Sequence, residues 1–220
     1  MQNKDRPISR SELFRDYYRA NKGKLYKQLD LSINGWVFKF DIYWGDPAII
    51  FSLSAIKNYS LAVAISPKWE HDPNPRIYLH DKLTPEFGKV FDMIVSHEIG
   101  HMWLNDIVGL TRQKSNFMID AFEAEVYADF FSFRFFLMYR GIRTLNQFSA
   151  IIDEASACIR NVYELDIVPG PDLLLAQKKE AFAAFVKNWD AGIERGNVFN
   201  LQVDSAIDLS LCALGDLFAE

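Results

Sequence analysis

Residues 95–106 read VSHEIGHMWLND, with His97 and His101 four apart, Glu98 directly after the first, and apolar residues on both flanks. In an α-helix, residues four apart differ by about 40° around the axis and stand one turn apart, so the two imidazoles can share one cation. The flanks predict such a helix. Thr84 followed by Pro85 is a helix start, Phe87, Phe91, Ile94 and Val95 carry a helical period into the motif, and Asn105, Asp106 and Gly109 mark its expected end. Glu98 projects to the flank of the shared cation, from where its carboxylate can take a proton from a bound water without being a ligand. A helix carrying this pair needs a neighbour to cover it and to complete the site.

A zinc site that does chemistry holds its ion with three side chains and leaves the fourth position to water. The four histidines are His71, His80, His97 and His101, so none lies downstream of the motif. Leu104 and Ile107 stand where the metzincin pattern needs Gly and His. Neither Cys158 nor Cys212 has a CxxC companion, which excludes a Cys/His finger. A carboxylate remains, and the candidates lie in DAFEAEVYADFF, residues 120–131. Glu125 and Asp129 share a helical face, amid Phe117, Phe122, Phe130, Phe131 and Phe133, where a carboxylate is costly to bury without a cation. Glu125 is assigned as the third ligand and Asp129 as the acceptor for the outer N–H of a ligating histidine. Asp120 and Glu123 remain as substitutes, Glu123 pointing about 160° away from Glu125.

The rest of the chain sets the frame for these helices. With 220 residues, half of them hydrophobic, the chain reads as a single domain, with a core over 1–141 and a helical extension over 142–220. Ser9 and Glu12 form a capping box that opens an expected helix over 10–29. Four β-rich runs follow, WVFKFDIYW, AIIFSLSA, YSLAVAIS and RIYLH, and predict a small antiparallel or mixed sheet of meander type. Further helices are expected over 120–139, closed by Gly141, then over 145–164, over 172–194 with Asp172 as cap, and over 203–218. The fold class is therefore α+β, a small sheet packed on the active-site helix with a helical C-terminal part.

A net charge of −5 without a basic cluster argues against a nucleic-acid partner. The first residues, MQNKDRPISRSELF, carry no apolar stretch, so neither a secretory signal nor a membrane anchor is expected. FFSFRFFLMY, 130–139, is interrupted by Arg134 and falls short of the roughly 20 residues of a spanning helix; its phenylalanines read as core. Both cysteines occupy apolar positions of helical patterns and read as buried free thiols, which suits a reducing cytoplasm. His71 and His80 read as surface residues flanking a strand whose free edge can pair with an extended substrate. Tyr78, Tyr127, Tyr139 and Tyr163, and equally either of these histidines, are candidate donors to an oxyanion.

HEIGH and EVYAD, 24 residues apart from His101 to Glu125, resemble the gluzincin metallopeptidases, whose pattern is HExxH on one helix and Glu with a carboxylate or amide four residues later on the next. Within that clan the chain looks most like the ImmA/IrrE type of small cytoplasmic peptidase, which has HELGH followed by E-x-E-A-N-x-F-A. Glu125, Ala128 and Phe131 match that form, Asp129 stands for its Asn, Tyr127 for its second Glu and Ser132 for its final Ala. The resemblance covers about Ile77 to Met138. It implies a zincin-like fold and a zinc metallopeptidase of narrow, regulatory specificity, with His97, His101 and Glu125 on the metal, Glu98 as base, and a protein or peptide as substrate. The alternative is a protein-binding module or effector that keeps the zincin scaffold with little basal proteolysis.

Overall fold

The computed structural model describes residues 24–33, 36–45, 60–65, 76–112, 121–164 and 169–190. These form a four-stranded mixed sheet and four α-helices, an α+β arrangement. The strands are β1 (Lys24–Ile33), β2 (Trp36–Gly45), β3 (Ala62–Ile65) and β4 (Arg76–His80). The helices are α1 (Lys89–Arg112), α2 (Ala121–Tyr139), α3 (Leu145–Tyr163) and α4 (Pro169–Asp190).

The sheet order is β1-β2-β4-β3, with β2 and β4 parallel and the other pairs antiparallel. This corrects the expected meander. A meander needs short connections, whereas the chain from Gly45 to Ala62 is long enough for β3 to skip a place and leave a slot that β4 fills. All five residues of β4 are buried, as befits a strand covered on both faces and paired on both edges. The edge of RIYLH expected to be free for substrate is therefore occupied by β2 and β3.

Residues 24–29, expected to end an opening helix, belong to β1, which pairs antiparallel with β2 from Ile33↔Trp36 to Lys24↔Trp44 with a bulge at Leu25/Lys27. The signal was present: Leu29, Leu31 and Ile33 alternate with Asp30 and Ser32, and Asn-Gly, the strongest two-residue hairpin signal, follows. Residues 10–23, the AIIFSLSA run and the 203–218 segment lie outside the described residues.

Thr84 and Pro85 start a single 3₁₀ turn, Pro85–Phe87, rather than α1 itself, and the Thr84 side chain makes no capping hydrogen bond. Gly88 then takes φ 54°, ψ −118°, a backbone state open to glycine, and α1 begins one residue later. The helix also runs past Asn105, Asp106 and Gly109 to Arg112. An interior glycine costs about 1 kcal/mol, and the two here, Gly100 and Gly109, do not stop a 24-residue helix. Similarly, α4 starts at Pro169 rather than Asp172, since the first turn has no use for the N–H groups that proline lacks.

The helices surround α2. Every residue from Phe131 to Leu137 is buried, so this stretch of the helix is covered all round. One side faces α1, where Val95, Ile99 and Met102 are buried. The Phe148 ring of α3 stacks on Phe182 of α4 at 4.1 Å, and Phe133 of α2 meets both rings edge-on at 5.4 and 5.3 Å. Thr144 and Gln147 cap α3 reciprocally. At its far end the Tyr163 hydroxyl donates to the carbonyl of Ser60, two residues before β3, at 2.5 Å. Among the described residues no helix is long and apolar enough to cross a membrane.

Candidate metal centre

Helices α1 and α2 cross at a point where only glycine fits. A β-carbon on Gly100 would stand 2.8 Å from Ala128 Cα, 3.0 Å from Ala128 O and 3.0 Å from Phe131 Cβ. Nearby, the buried Ser96 and Ser132 hydroxyls lie 2.9 Å apart and both donate toward Met93 O, at 3.1 and 3.3 Å. At the end of α2, Arg140 Nε donates to Asp92 at 2.7 Å. These contacts fix the rotation of α2 against α1.

That rotation brings Glu125 and Asp129 over His97 and His101. His97 Nδ1 lies 2.7 Å from Asp129 Oδ1. An ionised carboxylate only accepts, so Nδ1 carries the hydrogen and Nε2 of the neutral ring has its lone pair free. His97 Nε2 lies 3.1 Å from His101 Nε2 and 3.3 Å from Glu125 Oε2, and His101 Nε2 lies 3.4 Å from Glu125 Oε1. Among the described residues, these three form the group whose donor atoms converge as metal ligands do.

Two imidazole nitrogens at 3.1 Å with both lone pairs facing would repel, so a proton or another cation has to lie between them. The spacing suits a metal. Ligands about 2.0–2.1 Å from a tetrahedral zinc ion are about 3.3 Å from one another, and the three separations here are 3.1, 3.3 and 3.4 Å. Two neutral imidazoles and one carboxylate are also a donor set zinc accepts.

Without a metal the proton takes that place. Burial and Lys178 push the His97 imidazole down, but the Asp129 and Glu125 carboxylates outweigh them and raise it to about 9. Burial works to raise the Glu125 carboxyl, yet the two histidines hold it well below the usual carboxylate range. Asp129 behaves alike: burial raises it, while Lys178 and His97 bring it below the ordinary value.

Of the other residues named from the sequence, Glu98 lies beside His97 on α1, is 9 % exposed and contributes no atom to the donor group. His80 is not a surface residue. It is 2 % exposed, its Nδ1 accepts the Lys82 N–H at 3.1 Å, and burial lowers its pKa. Tyr78 is fully buried and its hydroxyl accepts from Arg76, while the Tyr163 hydroxyl donates to Ser60 O. Cys158 is a buried free thiol pushed up to about 11 by burial. His71, Asp120, Cys212 and the side chains of Glu123 and Tyr127 lie outside the described residues.

Two participants were missed from the sequence. Gly100 is readable only as the small residue inside HEIGH, since its partner Ala128 comes from another helix. Lys178 of α4 forms an ion pair with Asp129 Oδ1, the same oxygen that receives the His97 hydrogen bond. No local pattern marks this lysine among the charged residues of its helix. Comparison with known proteins finds no matching family model, curated protein or solved structure.

Proposed function

We propose that the protein is a zinc-dependent metallopeptidase of zincin-like fold, with His97, His101 and Glu125 as ligands and Glu98 as general base. The observation that carries this reading is the convergence of Nε2, Nε2 and a carboxylate at tetrahedral-edge spacing across two helices. Zinc in such a site supplies acidification of a water toward neutrality and polarisation of a carbonyl.

The chain supplies the rest. Asp129 holds the His97 tautomer by its 2.7 Å bond to Nδ1. Glu98 is placed by the α1 backbone on the flank of both histidines, where its carboxylate takes the proton of the attacking water and delivers it to the departing amine. The substrate is a protein or peptide, and the ImmA/IrrE resemblance favours a narrow, regulatory target. The buried Cys158 thiol suits a reducing cytoplasm.

Elemental analysis of purified protein, together with mass spectrometry of a peptide library incubated with wild type and Glu98→Gln, tests the proposal. One zinc per chain in both, with cleavage by wild type alone, is the expected result. Absence of zinc in the wild type overturns the metal assignment. Zinc without any cleavage favours the binding-module alternative.

A further inference from the structure

The C-terminal helix α4 reaches the candidate centre. Phe182 and Phe185 anchor it, Phe182 against Phe133 and Phe148 and Phe185 against Phe130 and Phe133 at 5.8 and 5.7 Å. Lys178 is one turn before Phe182 and two before Phe185, hence on the same face, and its ammonium meets Asp129 while both side chains are largely buried. Asp129 Oδ1 thus receives two donors, His97 Nδ1 from α1 and Lys178 Nζ from α4.

We propose that Lys178 is a positioning residue of the metal centre, holding the Asp129 carboxylate aimed at His97 Nδ1. The inference rests on the zinc reading above. Asp129 is largely buried and its Oδ1 is shared between an imidazole N–H and an ammonium, so without the ammonium the carboxylate is left with one fewer donor to hold it against the His97 ring. Lys178 supplies that donor from outside the ligand set. The helical part of the chain therefore belongs to the metal centre, and detaching α4 would weaken metal binding without touching a ligand.

The test is zinc affinity by chelator competition for full-length wild type, Lys178→Met, Lys178→Arg, Asp129→Asn and Asp129→Asn/Lys178→Met, with cobalt(II) absorption as a second readout. Circular dichroism in excess chelator checks that each variant folds. Lys178→Met is expected to lose about 10- to 100-fold in affinity, the range for removing an outer partner of a ligand, and to shift the cobalt bands. Lys178→Arg should recover most of the loss, and in the Asp129→Asn background the methionine substitution should cause no further loss. Affinity of Lys178→Met within threefold of wild type, or an equal loss in both backgrounds, overturns the role of Lys178 and leaves the zinc site standing. A wild type that binds no zinc overturns the zinc reading, and this inference with it.

Discussion

Gly100 of α1 lies so close to Ala128 of α2 that a single added carbon would reach 2.8 Å from the Ala128 Cα. The backbone contact, with the Ser96–Ser132 hydroxyl pair beside it, sets how far Glu125 and Asp129 stand from the histidines.

Gly100→Ala tests that relationship. The clash is with backbone, which cannot rotate away, so α2 has to shift. A loss of about 1–3 kcal/mol in urea unfolding is expected, as for overpacked cores, along with weaker zinc binding. Unchanged stability and affinity would show that the crossing can give way.

Zinc uptake should release protons. A metal held as proposed would take the Nε2 lone pair of His97, and in the metal-free protein that imidazole is protonated at neutral pH because its pKa is raised to about 9. Calorimetric titration at pH 7 in buffers of different ionisation enthalpy should show about one proton leaving per zinc bound. Apparent affinity should rise with pH and level off above about 9.

The same shift sets the pH range of the metal-free fold. His97 is raised from 6.5 in the unfolded chain to about 9, so its stabilising contribution is complete below 6.5 and lost as pH climbs through 9. Glu125 and Asp129 are lowered, so theirs is present above the unfolded carboxylate values and lost on acidification. Thermal melts in excess chelator should therefore peak between the unfolded carboxylate range and 6.5. Added zinc should extend stability toward alkaline pH by replacing the proton.

Phe182→Ala should destabilise the protein by about 3–5 kcal/mol, because the ring is fully buried and stacked on Phe148. The variant also frees Lys178, so its zinc affinity should fall as well. Thr144→Ala, which removes the α3 capping box and touches none of the proposed ligands, should cost about 1 kcal/mol and leave zinc affinity unchanged. Denaturant midpoints and chelator competition on both variants check the pair.

The parts of the protein legible in the sequence are those that depend on short-range geometry. The 3.6-residue period places His97 beside His101 and Glu125 beside Asp129 whatever the rest of the chain does. The buried phenylalanines of α2 and the start of α3 at Leu145 follow from equally local patterns. Where two periods competed, as in Leu25 to Ile33, a helical spacing concealed the alternation of β1. The slot that β4 occupies between β2 and β3 has no local signature, because sheet order is set by which strands pair across long connections.

The tertiary structure alone decided which side chains meet. Gly100 matters because of Ala128, and Lys178 because of an aspartate 49 residues earlier in the chain. The sequence determined two helices, each with a pair of polar residues on one face; packing determined the distance between those faces. The physical reason is that periodicity is a property of one backbone segment, whereas contact between segments depends on how the whole core fills space.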